Sequence, residues 1–162
     1  MLFRSHKKSR ILAFNHAYHG DTYGAMAVSA RSMFTQPFWE QLFTVDFIDP
    51  PLRTHERGQS IEQLEKILAD HSDIAALIYE PLVQGAGGML MSDHEELDQL
   101  LRLAKQRGVL LIADEVMTGF GRTGKLFASD HLMTKPDIVC LAKGLTGGML
   151  PLSVTSCTDE IF

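Results

Sequence analysis

Residues 92–115 read SDHEELDQLLRLAKQRGVLLIADE, and two hydrophobic periods meet inside them. Over Ser92–Arg107, Leu97, Leu100, Leu101 and Leu103 recur at helical spacing behind a Ser/Asp cap, and Gly108 supplies the stop. Val109–Ala113 then runs apolar without alternation, the pattern of a strand covered on both faces. The run closes on Asp114 and Glu115, at a place where an unpaired carboxylate is expensive to bury. Helix, glycine, buried strand and acid together form one half of a crossover unit.

The same rhythm extends in both directions. Ile74–Tyr79 and Asp137–Leu141 are short runs rich in Ile, Leu and Val, and Ser60–His71 sets Ile61, Leu64, Ile67 and Leu68 on one helical face. A strand is expected at Ile11–Asn15, a short one near Phe43–Ile48 inside the otherwise aperiodic Ser32–Gly58, and a further one at Ser153–Cys157. The predicted class is α/β: a mostly parallel sheet of about five strands, plus that further one, with flanking helices and right-handed crossovers. There is no internal repeat and no low-complexity tract.

Composition narrows the function classes. The chain has 162 residues, 45% hydrophobic and 22% charged, enough for one domain with a real core. A net charge of −5 gives no electrostatic case for nucleic acid. No apolar run approaches the roughly 18 residues that cross a bilayer. Cys140 and Cys157 are too few for a disulfide scaffold and suit a reducing, cytoplasmic setting. The basic start, Met1–Arg10, reads as the last turn of a helix rather than a targeting peptide, because no apolar region or cleavage site follows. The seven histidines lack metal-ligand spacing, Cys140 reads as packing, and methionines such as Met26, Met89 and Met149 read as core filler.

In an open α/β sheet, ligands sit at the carboxyl ends of the strands. Four polar clusters fall there: Tyr18-His19-Gly20-Asp21, Glu80-Pro81 with Gln84–Gly88, Asp114-Glu115 leading into Gly119–Gly124, and Lys143-Gly144 leading into Thr146–Gly148. Among apolar neighbours at a strand end, Lys143 is expected to be partly desolvated, which favours a nucleophilic amine; taken alone, a strand-end lysine more commonly reaches solvent. A buried Asp114 wants a cationic partner, unless it caps the next turn or pairs with an arginine. A lysine that condenses with an aldehyde, beside an aspartate that keeps a pyridinium nitrogen protonated, is the arrangement for pyridoxal phosphate. At the same rim Tyr18 offers a flat ring to stack on a cofactor, and Val116 can pack on the opposite face. The Gly85–Gly88 and Gly121–Gly124 loops match neither a P-loop nor a dinucleotide fingerprint.

With these clusters in view, the chain resembles the class-III pyridoxal-phosphate aminotransferases. The strings that carry this are Tyr18-His19-Gly20-Asp21-Thr22, the run from Glu80 to Met89, the run from Asp114 to Gly124, and Leu141-Ala142-Lys143-Gly144-Leu145-Thr146-Gly147-Gly148. The resemblance implies a fold-type-I transferase, with residues 1–162 forming the central part of its large domain. It implies Lys143 as the lysine bonded to pyridoxal 5'-phosphate and as the proton carrier. Asp114 would sit on the ring nitrogen, Tyr18 and Val116 on the two ring faces, and His19 and Glu80 on the cofactor side. Asp21 and Arg122, with Tyr18 and Lys143, are implied to contact substrate, and a homodimer is implied for the parent enzyme. The combination of Tyr18–Thr22, Val83–Met89 and Gly121–Ala128 resembles, within the class, the biotin-pathway branch, whose amino donor is S-adenosylmethionine and whose acceptor is 8-amino-7-oxononanoate.

Two departures accompany the resemblance. Met117 stands where many relatives carry a glutamine, and it cannot hydrogen-bond the cofactor's phenolic oxygen. The family's phosphate-binding elements, a Gly-Ser loop and a partner-subunit threonine, would lie before Met1 and after Phe162, and the small domain is absent from the chain. The isolated 162 residues are therefore expected to bind cofactor weakly and turn over nothing. Other readings stay open: another class-III ω-aminotransferase, a version using lysine as donor, or a non-catalytic remnant.

Overall fold

The structure, a computed structural model, describes residues 8–162. Most of the basic N-terminal stretch lies outside the described residues. Arg10, at its end, already opens the first strand and pairs with Asp46 at 3.0 Å.

In chain order the elements are β1 (Arg10–Phe14), α1 (Tyr23–Val28), β2 (Val45–Ile48), α2 (Gln59–Asp70), β3 (Ile74–Tyr79), β4 (Val83–Gln84), β5 (Leu90–Met91), α3 (His94–Gln106), β6 (Leu110–Asp114), β7 (Ile138–Leu141) and β8 (Val154–Cys157). Single 3-10 turns stand at Gln36–Gln41, Ala128–His131 and Lys143–Thr146. Six strands form one sheet in the order β2-β1-β3-β6-β7-β8, while β4 and β5 make a separate hairpin. All pairs in the sheet are parallel except β7–β8. The α/β class and the strand at Ser153–Cys157 are borne out. The β4–β5 hairpin and α1 were not legible, because two-residue strands and a six-residue helix are too short to show a period.

The core lies under α2 and α3. Leu64 of α2 and Leu97, Leu100, Leu101 and Ala104 of α3 pack on Leu12, Phe14, Leu77, Tyr79 and Leu111 of the sheet, all fully buried. Truncating one of these leucines to alanine costs about 2–5 kcal/mol. The start of α3 is fixed by Asp93, whose carboxylate accepts from the Glu95 and Glu96 N–H groups at 3.1 and 3.0 Å.

That helical cover stops short of β7. Ile138–Leu141 were expected to be buried on both faces but are only half-buried, and Val154–Cys157 are exposed. Cys140 is accordingly half-buried rather than packed away. The methionine reading is also corrected: Met26 is in the core, but Met89 and Met149 are 61% and 85% exposed.

Candidate active site

The register of the sheet brings the expected residues to one rim. Asp114 ends β6 opposite Cys140 of β7, and the Glu115 N–H donates to the Cys140 carbonyl at 3.0 Å. The next turn on β7's side carries Lys143, so the two residues stand at neighbouring strand ends. Asp114 is buried, and its partner is an imidazole: His19 Nδ1 donates to Oδ2 at 2.7 Å. The other oxygen, Oδ1, accepts the Val116 N–H at 3.1 Å, so Asp114 also closes its own turn. Both oxygens are thereby aimed by the fold.

Ser29, which no motif in the sequence singles out, steadies His19. Its hydroxyl oxygen accepts the His19 N–H at 2.8 Å, and its O–H donates to the carbonyl of Ala25, within α1, at 2.8 Å. The sequence offered no signal for it, since the six-residue α1 before it leaves no period. His19 Nε2 is buried and makes no hydrogen bond among the described residues.

Glu80, just past β3, ties two loops together. One carboxylate oxygen accepts the Tyr18 N–H at 3.1 Å and the other accepts the Gly85 N–H at 2.9 Å. Burial pushes this carboxyl above its ordinary range, and the two N–H groups pull the other way. The glycine loop presses closely on the turn that follows β1. A Cβ on Gly87 would collide with the His16 carbonyl oxygen, and Gln84 Nε2 donates to the Asn15 carbonyl at 3.0 Å. Met117 lies against Gly85, in contact through its side chain.

Glu115, adjacent to Asp114 in sequence, has a different role. It is fully buried and accepts from Thr118 Oγ1 at 2.7 Å, Ala128 N at 3.0 Å and Ser129 N at 2.7 Å. It pins the loop that follows β6 and turns away from the rim.

Lys143 is exposed, so the desolvation expected from its apolar neighbours is not found. The reason is the missing helical cover over β7 noted above. Its backbone is unusual, with φ at +40°, in the region that favours glycine. Gly144 beside it has no room for a side chain, since a Cβ there would stand 2.7 Å from Phe120 Cδ2.

Tyr18 and Asp21 meet on one side of the rim. The Tyr18 hydroxyl donates to Asp21 Oδ2 at 2.9 Å, which pushes the phenol above its ordinary range. Both line a cavity of about 1130 Å³. Arg122 does not join them. It donates to the Met117 carbonyl at 2.6 Å and lines a different cavity, of about 540 Å³, together with Arg53, which the sequence reading missed.

The donor set can be compared with the implied cofactor. A carboxylate aimed from behind by His19, an exposed lysine at the adjacent strand end and an aromatic face at Tyr18 suit a planar, aldehyde-bearing heterocycle with a protonatable nitrogen. These residues fit the ring end of pyridoxal phosphate. Among the described residues no group of three or more His, Cys, Asp or Glu could hold a metal ion, and no helix is long and apolar enough to cross a membrane.

The chain belongs to the class-III aminotransferase family, whose model matches residues 2–162. It is 51% identical to the adenosylmethionine-8-amino-7-oxononanoate aminotransferase of Synechococcus elongatus, over 96% of this chain and 38% of that protein. It is 39% identical to the enzyme of the same name from Staphylococcus aureus, over 96% of this chain and 36% of that protein. Among solved structures, the Methanocaldococcus jannaschii enzyme of that name superposes with a TM-score of 0.84 at 36% identity, covering 95% of this chain and 35% of that one. An amine transaminase from an uncultivated Pseudomonas species, solved in a PLP-bound form, superposes with a TM-score of 0.88 at 35% identity, covering 95% and 37%. The chain thus spans little more than a third of the length of the curated relatives it matches.

Proposed function

We propose that this chain forms the central part of the large domain of a pyridoxal-phosphate aminotransferase. Its amino donor would be S-adenosylmethionine and its acceptor 8-amino-7-oxononanoate, giving 7,8-diaminononanoate for biotin biosynthesis. The observation that carries the reading is the His19–Asp114 pair, 2.7 Å apart at the end of β6, next to Lys143 at the end of β7. The names of its relatives, at up to 51% identity, support the choice of substrates.

When bound, pyridoxal phosphate supplies an aldehyde that takes up an amino group and a protonated ring that draws electrons from the adjoining carbon. Lys143 Nζ would hold that aldehyde carbon at rest and afterwards carry a proton to and from the substrate carbon that bears nitrogen. Asp114, its carboxylate oriented by His19, would face the ring nitrogen and keep a proton there. Tyr18 and Val116 would cover the two ring faces. Glu80 sets the position of Tyr18 through its backbone N–H. Asp21, bonded to the Tyr18 hydroxyl, and Arg122, in the neighbouring cavity, reach substrate from two sides. The enzyme would act in the cytoplasm as a homodimer, a reading supported by exposed apolar residues such as Met149, Leu150 and Leu152.

The test is an assay of the protein expressed from its natural reading frame, with 8-amino-7-oxononanoate as acceptor and S-adenosylmethionine or lysine as donor. Diaminononanoate formed from S-adenosylmethionine, and lost in Lys143→Ala, is the expected result. Product from lysine alone overturns the donor, and no product from either overturns the biotin assignment in favour of another class-III ω-aminotransferase.

A further inference from the structure

His19 aims Asp114, and its own ring is held from one side only. The imidazole is buried, with Nδ1 donating to Asp114 Oδ2 at 2.7 Å, while Nε2, also buried, makes no hydrogen bond among the described residues. A ring bonded through one nitrogen can swing about that bond, so its plane depends on where its backbone is fixed. That anchor is Ser29, whose hydroxyl oxygen accepts the His19 N–H at 2.8 Å. Next to it, the Ala30 N–H donates to the Ala17 carbonyl at 2.8 Å, so two successive residues after α1 are tied to the loop after β1.

Closing α1 does not account for the Ser29 hydroxyl. The Ser29 backbone N–H already donates to the Ala25 carbonyl at 3.0 Å, and the O–H adds a second bond to the same oxygen at 2.8 Å. With its proton on Ala25 and a lone pair on His19, this buried hydroxyl is locked in one rotamer. A six-residue helix without a side-chain cap bond at Thr22 supplies little rigidity of its own, so these ties locate the loop. We propose, on the role given above to Asp114, that Ser29 is a positioning residue for the cofactor ring. Through the His19 backbone it sets the imidazole plane, and through the imidazole it sets the direction of the carboxylate toward the ring nitrogen. The titratable groups around Asp114 are His19 from the loop after β1, Glu80 from past β3, Cys140 of β7 and Lys143 beyond it, while Glu115 turns away. Apart from the His19 backbone, none of them bonds to the Ser29 hydroxyl among the described residues, so replacing it removes no charge from the rim.

The experiment follows the visible band of pyridoxal phosphate against pH, on the protein expressed from its natural reading frame, and needs no turnover. A weaker Asp114 contact leaves the ring less cationic. A less cationic ring lets the chromophore hold its proton to higher pH, so the midpoint of the titration moves upward. Asp114→Asn should raise it by about one unit or more, and Ser29→Ala by about half a unit, a roughly threefold change in proton affinity. Ser29→Thr keeps the hydroxyl, and Leu64→Val loosens the core beneath α2 without touching the rim; both should stay within about 0.2 units of wild type, whatever their melting temperatures. In a His19→Leu background Ser29→Ala should add nothing, because the path through the imidazole is gone. A midpoint unmoved in Ser29→Ala, or moved as far by Ser29→Thr or Leu64→Val, overturns the proposal, as does a full Ser29→Ala shift on top of His19→Leu. An unmoved midpoint in Asp114→Asn is a separate failure, which overturns the role of Asp114 and this proposal with it.

Discussion

Removing the Glu80 carboxylate tests whether one buried acid holds the rim together. It accepts the Tyr18 and Gly85 N–H groups at 3.1 and 2.9 Å. Hydrogen bonds to a charged acceptor contribute about 1.5–3 kcal/mol each, and a buried N–H left without a partner costs about 1–3 kcal/mol. Opposing this is the expense of burying the carboxylate, visible as a carboxyl pushed above its ordinary range. The balance for Glu80→Ala is a loss of about 2–4 kcal/mol. Glu80→Gln keeps the volume and one acceptor but turns its amide donors toward the second N–H, for a loss of about 1–2 kcal/mol. Because Tyr18 and Gly85 sit on two loops of the site, cofactor affinity should fall with stability, about tenfold for Glu80→Gln. The pH dependence has a definite sign. With its folded-state pKa raised, the stability Glu80 contributes is fully present below the ordinary carboxylate pKa and is lost as pH rises through the folded value. The stability difference between wild type and Glu80→Gln should therefore shrink as pH rises through that window. Urea unfolding across pH, with titration of pyridoxal phosphate followed by visible absorbance, reads both effects. If both variants unfold within about 0.5 kcal/mol of wild type and bind cofactor unchanged, Glu80 does not position these loops.

Gly87→Ala should destabilise the protein by about 1–3 kcal/mol in the same unfolding assay, because the new methyl group meets a backbone carbonyl, that of His16, which cannot rotate away. Gly144→Ala should also destabilise by about 1–3 kcal/mol, because the new methyl group would stand 2.8 Å from Phe120 Cβ, and Phe120→Leu, which keeps that atom, should recover little of the loss. Glu115→Gln should cost about 2–4 kcal/mol, since three donors at 2.7–3.0 Å converge on that carboxylate, yet leave the absorbance of bound cofactor unshifted. Lys143→Gly should abolish that absorbance while leaving the protein at least as stable as Lys143→Ala, as measured by thermal melts, because glycine alone relieves a φ of +40°.

What was legible in the sequence was whatever has a period or a strand-end position. Leu97, Leu100 and Leu101 announced α3, and the apolar run before Asp114 announced β6, because helix and strand periods leave a mark within a dozen residues. Asp114, Lys143 and Tyr18 could be placed at one rim because they follow the carboxyl ends of strands, where ligands bind in this class. Partners across the chain left no such mark. Nothing local tells that Ser29 holds His19, or that Glu80 reaches back to Tyr18, since both bonds depend on how loops far apart in sequence fold over one rim. Exposure was misjudged at Lys143 and Met149 for a related reason. An apolar stretch indicates that cover is wanted, but it does not say which element provides it.

Asp114 and Glu115, adjacent in sequence, occupy different environments at one rim. Adjacent residues leaving a strand point to opposite faces, so two identical-looking acids cannot both face the same space. One is bonded by a single imidazole and one N–H, and its side chain keeps a partly open edge. The other is enclosed by three donors and has no surface left for a ligand. The same separation governs Lys143 and Gly144. Gly144 is required by steric contact with Phe120, whereas the strained backbone at Lys143 would suit glycine better than lysine. Strain of this kind collects at working sites, in keeping with the role proposed for Lys143. On the role proposed for the Lys143 amine, stability and cofactor binding should respond in opposite directions when Lys143 is replaced by glycine, because glycine relieves the backbone while the amine is lost.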